Sequence, residues 1–307
     1  MITSRGWTDT DYESVAGLLA SKAASSLPEP PMLLPGDLAW RLPGSRPEKY
    51  LQLFFHGDDL AAFAWFEPET GFEFETQPEL ADREELLLAV AEWAAAVRRS
   101  LPAAYPRFVD LTDMDAWRDE ISSPKRSGKA DGHYLTTVCP EADSQRVRWL
   151  ATQGFEATGH FAPVYFWDLA EQVPEPVLPE GCRLRSITDA DITERIAVHR
   201  AAWEGSQFDA QRYGEVRSRS SYREDLDIVL EETGAGVSGE PGVFGSYCIC
   251  WAEAHSRIGH FEPVGTRADW RGRGAARAVI LEGLRLLKAA DMRWARVSTA
   301  GFNTPAQ

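Results

Sequence analysis

One stretch limits what this chain can fold into more than any other: Phe261-Glu-Pro-Val-Gly-Thr-Arg-Ala-Asp-Trp-Arg-Gly-Arg-Gly-Ala-Ala-Arg-Ala-Val-Ile280. It opens as a short apolar strand that breaks at Gly265, then crosses a loop rich in Arg and Gly. From there it enters a helical pattern that runs to about Ala290. Ala278, Val279, Leu281, Leu284 and Leu287 form one apolar stripe on that helix. Gly272 and Gly274 let the backbone approach a ligand with no Cβ in the way. N–H groups in a first helical turn lack intrahelical acceptors, and the helix dipole favours an anion there. Arg271, Arg273 and Arg277 add positive charge around the first helical residues, Ala275 and Ala276. The combination reads as a pyrophosphate cradle.

Three readings compete for it. A surface loop capping a helix, with solvated arginines, is the plainest. A Rossmann dinucleotide site is the second, but the run reads G-x-G-x-x-R and lacks the third small residue. Asp291 lies about twenty positions on, yet it precedes the next strand, whereas a ribose-binding acid ends one. The third reading is a resemblance. Arg271, Gly274 and Ala276 match the acetyl-coenzyme A loop of the GNAT superfamily of N-acetyltransferases: Arg or Gln, two residues, Gly, one residue, then Gly or Ala. A strand pattern at residues 294–299 is followed by Asn303-Thr-Pro-Ala306, similar to the Asn-x-x-Ala segment of that family. The resemblance implies acetyl-coenzyme A as co-substrate. Backbone N–H groups of Val264, Gly265 and Thr266 would hold its pantetheine arm and polarise the thioester carbonyl, with Asn303 touching it from the far side.

At 307 residues, a prior of about 150 per domain predicts two domains. A net charge of −15 argues against a nucleic-acid partner, because phosphate binding needs a basic face. It fits a cationic substrate loosely. Four cysteines, Cys139, Cys182, Cys248 and Cys250, are few and scattered, as in a reduced cytoplasmic protein. Cys248 and Cys250 fall on one face of a strand, which is neither a disulfide nor a metal spacing. His56, His133, His160, His199 and His255 follow no metal-ligand spacing either, so no metal is expected. No apolar run suits a signal peptide or a membrane span.

In chain order the pattern repeats. Residues 2–7 read as a strand, followed by Thr8-Asp-Thr-Asp11, with Thr8 or Asp9 as N-cap of a helix through Ala24. Residues 25–47, rich in Pro and Gly, read as a loop with a short helix at most. Strands are expected at 50–56, 60–66 and 71–76, then a helix at 81–100. A strand at 107–112, a short helix at 114–121, a polar stretch at 122–132 and a strand at 133–139 follow. A helix at 142–152 ends at Gly154, and residues 157–169 close this half. Glu171-Gln-Val-Pro-Glu-Pro-Val-Leu-Pro-Glu180 is an extended linker. Then comes a second copy. Residues 182–187 are a strand, and Thr188-Asp-Ala-Asp191 echoes Thr8-Asp-Thr-Asp11. A helix at 191–203, a helical loop region to Arg223, and strands at 227–231, 243–252 and 258–264 lead into the opening stretch. Phe261-Glu262 echoes Phe72-Glu73 or Phe74-Glu75. The expected fold is α/β (α+β): two tandem GNAT-type units, each a mixed, mostly antiparallel twisted sheet flanked by helices. Their bounds are 1–170 and 182–307, with a linker at 171–181.

The copies differ. The first has Pro78-Glu-Leu-Ala-Asp-Arg-Glu-Glu-Leu-Leu87 between strand and helix, with four acids and no glycine, which would repel a pyrophosphate. Its closing Trp149-Leu-Ala-Thr-Gln-Gly-Phe155 resembles the family's Tyr-x-x-x-Gly-Phe segment, with Leu150 in the tyrosine's place. The first copy therefore reads as degenerate. In the second, strict alternation places His260, Glu262 and Val264 on one face, so Glu262 first and His260 second are the candidate bases for a primary amine. The implied activity is N-acetylation of a small-molecule amine; a longer acyl group, or a non-catalytic acyl-coenzyme A binding or homodimerisation module, are the alternatives. The tyrosine that the family carries about seven residues after its asparagine has no counterpart, and neither do the closing helix and strands. The second unit either borrows those elements, lacks them in a shortened chain, or is inactive. Trp203, Tyr213, Tyr222 and Trp251 are read as core residues ahead of pocket residues.

Overall fold

A computed structural model of the chain describes residues 1–27, 32–42, 47–67, 71–101, 135–157, 161–233, 242–300 and 303. The first half forms β1 (Ile2–Gly6), α1 (Tyr12–Ser25), α2 (Pro35–Arg41), a helical turn at Pro47–Tyr50, β2 (Leu51–His56), β3 (Asp59–Glu67) and β4 (Gly71–Thr76). α3 (Glu84–Ser100), α4 (Ser144–Thr152) and β5 (Val164–Asp168) follow. The second half forms β6 (Cys182–Ser186), α5 (Ile192–Ala202), α6 (Ala210–Arg217), β7 (Asp227–Glu232), β8 (Phe244–Glu253), β9 (Ile258–Thr266), α7 (Ala275–Ala289) and β10 (Trp294–Ser298). One sheet has the order β1-β2-β3-β4 and the other β5-β10-β9-β8-β7-β6. Two compact units result: Met1–Leu34 with Arg46–Val164 and Ser298–Gln307, and Pro35–Ser45 with Tyr165–Val297.

The repeat read from Thr8 and Thr188 is structural. Each threonine opens a capping box on a short 3-10 turn, Asp9–Asp11 or Asp189–Asp191, ahead of α1 or α5. Arg5 Nη2 donates to Asp11 Oδ1 at 2.6 Å and Arg185 Nη2 to Asp191 Oδ1 at 2.8 Å. These paired bonds hold the Asp11 carboxyl down to about 2, the guanidinium of Arg5 being the main cause. The expected stripe on α7 is buried throughout, packing on Cys248, Cys250 and Phe261. In the first unit Phe54, Phe66, Phe72 and Phe74 pack under Leu86, Leu87 and Val90 of α3.

The two middle strand pairs differ by one residue. β3 and β4 pair one-to-one from Ala62↔Thr76 to Glu67↔Gly71. In β8–β9 the register steps from Cys248↔Val264 to Cys250↔Phe261, so Glu262 and Pro263 together face Ile249. That is a β-bulge on β9. Counting from the pairs Phe66↔Phe72 and Cys250↔Phe261, Glu262 corresponds to Glu73 rather than Glu75. The bulge also corrects the expected alternation. Val264 packs with Phe261 on the α7 side, away from His260.

Other expectations change too. Residues 157–169 do not close the first sheet: β5 is the neighbour of β10 in the second. Leu169 is buried in the second core, its N–H donates to Arg293 O at 3.0 Å, and Asp168 takes a bidentate ion pair from Arg293. Of the strand expected at 133–139, the described part holds a single parallel bridge, Phe72↔Thr137. The elements expected at 107–112, 114–121 and 122–132 lie outside the described residues, as do His133 and His160. The short helix allowed for within the loop at 25–47 is α2, with Gly36, Leu38, Ala39 and Trp40 buried.

In the first unit a side chain of the same unit occupies the edge of β4 beyond that bridge. Arg146, in the first turn of α4, donates Nη1 to Phe74 O at 3.2 Å and pairs Nη2 with Glu75 Oε2 at 3.4 Å. Both partners are buried, and burial raises the Glu75 carboxyl despite the guanidinium. Arg146→Met leaves that carboxylate unpaired, which costs about 3–5 kcal/mol. Urea unfolding at pH 7 is expected to show the loss, and the deficit to shrink as pH falls and Glu75 takes a proton. In the double variant with Glu75→Gln most of the stability returns.

Candidate active site

The site builds up from β9. Its parallel ladder with β10 runs over Trp294↔Ile258, Ala295↔Gly259 and Arg296↔His260 and ends there. From Phe261 to Thr266, β9 keeps its antiparallel partner β8, while no ladder to β10 is present among the described residues. The bulge at Glu262-Pro263 lies where the two strands part. Backbone polar groups need partners, so the free flank of this segment is a place for an extended ligand to hydrogen-bond.

At the far end of the segment, a 3-10 turn at Ala268–Trp270 leads into the glycine loop. Gly272 and Gly274 have φ of +74° and +81°, a conformation that favours glycine. A Cβ at either would meet nothing within 4 Å, so the space before them is open. Gly274 caps α7 without any side-chain hydrogen bond, and the first turn carries no acid. The first helical bond is Ala278 N to Gly274 O, at 2.9 Å. The N–H groups of Ala275, Ala276 and Arg277 therefore point out of the helix start. Arg271, Arg273 and Arg277 are exposed around it. The residues fit a pyrophosphate. The corresponding helix of the first unit, α3, opens with Glu84 and Glu85.

Glu262 and His260 sit where the strands separate. Trp251 Nε1 donates to Glu262 O at 2.6 Å, which fixes the bulged backbone. The Glu262 side chain keeps some exposure, yet the surrounding protein desolvates it. Burial first, then the negative charge of Asp37, raise its carboxyl to about 7, against the pull of Arg41 and Arg296. His260 is buried and stacks on Trp251 at 6.3 Å and 22°. Neither of its ring nitrogens has a hydrogen-bond partner; the nearest acid, Asp37 Oδ1, is 3.5 Å from Nε2.

Sequence reasoning missed Asp37. It comes from α2, far back in the chain, and also lies 3.5 Å from Arg296 Nη1. Gly36 is what lets α2 approach: a Cβ there would come within 2.3 Å of Trp251 Cγ and 2.5 Å of His260 Cε1. Asn303, expected at the cofactor, donates Nδ2 to Thr299 Oγ1 at 3.0 Å. Thr266 Oγ1 is bound to Ser246 Oγ at 2.8 Å, and Ser246 Oγ also donates to Gly265 O at 3.0 Å. Behind β8 lies a buried polar cluster. Arg195 Nε donates to Asp227 Oδ1 at 2.8 Å, and Tyr213 donates to Asp227 Oδ2 at 2.6 Å. Burial, with Arg195, Arg212 and Arg200 nearby, pushes His199 down to about 3, so it is neutral. Cys248 and Cys250 are free thiols 3.8 Å apart under α7. No group of three metal-ligating side chains occurs among the described residues, and no described helix is long and apolar enough to cross a membrane.

The second unit thus has a sheet that parts at a bulge with a glycine-opened helix start beyond it, and the first unit opens with the same element order. Among solved structures, the GCN5-related N-acetyltransferase from Sphaerobacter thermophilus aligns over 98% of this chain and 87% of its own, with a TM-score of 0.55 and 17% identity. A tandem GNAT protein from the clavulanic acid biosynthesis pathway aligns over 100% and 92%, with a TM-score of 0.55 and 12% identity. In sequence, the mycothiol acetyltransferase of Saccharomonospora viridis is 29% identical over 150 residues, a match covering 44% of this chain and 46% of that protein. The match thus spans about half the length of that relative. No family model matches the chain. The fold of this chain is that of the tandem GNAT acetyltransferases.

Asp37→Asn removes a negative charge beside Glu262, so the Glu262 carboxyl is expected to titrate lower, toward the ordinary carboxylate range. Carbon NMR of labelled glutamate side chains reads this without substrate. An unmoved midpoint would mean that burial alone sets the shift.

Proposed function

We propose that the second unit transfers an acetyl group from acetyl-coenzyme A directly to a primary amine of a small molecule. One observation carries this reading: β9 and β10 part at Glu262, and the flank they leave free leads to the uncapped start of α7. Residues 182–307, with α2 and β5 added, form the working domain in this reading; 171–181 is its linker, and the rest of 1–170 is a degenerate copy.

The co-substrate supplies the acyl group as a thioester. The first turn of α7 and Arg271, Arg273 and Arg277 hold its pyrophosphate, while Val264 and Thr266, which alternate with the β8-facing Gly265 and Arg267, offer backbone N–H groups to the arm and to the carbonyl oxygen. A primary amine is mostly ammonium at neutral pH, with a pKa of about 10. Glu262 takes that proton, directly or through a water, and Asp37 adds negative charge that favours a cationic acceptor. A carboxyl near 7 is protonated below that pH and a base above it, so kcat/KM is expected to rise through about pH 7. His260 is the second candidate, favoured by its two unpartnered ring nitrogens.

Glu262→Gln is expected to lower kcat about 10²–10⁴-fold and abolish that pH limb, with acetyl-coenzyme A binding kept. If the limb survives in Glu262→Gln and disappears in His260→Gln, the base is His260. Gly274→Glu, which puts a strained residue and a negative charge in the cradle, is expected to abolish calorimetric binding of acetyl-coenzyme A. Unchanged binding would remove the cradle from the reading.

A further inference from the structure

Trp203, at the C-cap of α5, is 47% exposed, while its neighbours Phe208 and Tyr247 are wholly buried. Solvent does not leave this indole free to move. Its Nε1 donates to the Tyr247 hydroxyl at 3.0 Å, and its plane lies 28° from that of His199, at 6.4 Å. The same hydroxyl meets His199 Nδ1 at 2.5 Å, and His199 Nε2 is engaged by Ser206 Oγ at 3.0 Å. One edge of the indole is therefore pinned to a buried network, and part of the ring remains exposed.

Its position is the second part of the argument. The Tyr247 ring lies against Gly265: a Cβ there would come within 2.4 Å of Cε1 and 2.8 Å of the hydroxyl oxygen. Trp203 thus stands next to the residue that touches the free segment of β9. On its other side, the carbonyl of Ala202 accepts from Arg271 Nη2 at 3.5 Å. Residues 202–203 thus join the two ends of the interval between the cradle at Arg271 and the backbone at Gly265, the Ala202 carbonyl at one end and the indole, through Tyr247, at the other. A ligand anchored by its pyrophosphate at α7 and reacting at Glu262 must run its flexible arm through that interval.

We propose that Trp203 is an apolar platform on which the pantetheine arm of acetyl-coenzyme A lies. This rests on the acetyl-coenzyme A reading above. A ring fixed before binding loses little conformational freedom when the arm covers it, so most of the apolar contact appears as affinity.

Calorimetric titration with two ligands tests this: acetyl-coenzyme A, and 3′-phospho-ADP, which keeps the pyrophosphate and lacks the arm. In Trp203→Ala, acetyl-coenzyme A is expected to bind about tenfold more weakly and 3′-phospho-ADP within about twofold of wild type. Trp203→Phe, which keeps a ring without the N–H, should fall between. Equal weakening of both ligands would mean that the indole only supports the fold and would overturn the platform. So would unchanged acetyl-coenzyme A binding. If wild type binds neither ligand, the acetyl-coenzyme A reading itself fails, and the platform with it.

Discussion

Two residues of β9 facing one residue of β8 are the constraint from which the second unit's site follows. The bulge reverses the phase of the strand, so Val264 joins Phe261 over α7 while His260 and Glu262 remain with Trp251. It also turns the strand where its parallel ladder to β10 stops. A straight strand of the same sequence would continue the ladder and leave no backbone free for a ligand. The first unit makes the comparison within one chain: β3 and β4 pair without a bulge.

Charge placement follows from that opening. A carboxylate on a bulge between two sheet faces is desolvated, and desolvation alone raises it. α2 adds both signs: Asp37 pushes Glu262 further up, while Arg41, with Arg296 of β10, pulls it back. The balance holds the Glu262 carboxyl near neutrality instead of leaving a buried acid that never ionises. α2 reaches this place because Gly36 has no Cβ to strike Trp251 or His260. A short helix within a stretch read mainly as loop thus supplies part of the electrostatics of a site some 220 residues later in the chain.

What could be read from the sequence was local and periodic. The α7 stripe, the two Thr-x-x-Asp capping boxes, the glycine loop and the strand bounds of β4, β7 and β10 all depend on spacings within a few residues, and the structure places them where those spacings do. The misses share a different cause. The short helix allowed for in the Pro- and Gly-rich stretch is α2, but its seven residues are too few to show a period, so its bounds and its buried face could not be read. β5 is an apolar run, and nothing in Val-Tyr-Phe-Trp-Asp says which sheet it joins; that is decided by Leu169 in the second core and Asp168 on Arg293. The bulge broke the assumption of strict alternation, and a proline in a strand was the available signal at Pro263.

The first unit differs from the second at this edge in more than its missing glycines. Acids at the start of α3 remove the anion's reason to bind, but a β4 edge beyond Phe72 would still carry unpaired backbone groups. Arg146 answers that need: it donates to Phe74 O in the position that corresponds to Val264 of the second unit. A guanidinium brought there requires a counter-charge, and Glu75 supplies it within the same strand. Acids in place of glycines at the start of α3, Arg146 on Phe74 O and a buried Glu75 beside it together set the charge at this edge of the first unit apart from that of the second. The second unit lacks all three and keeps the slot open.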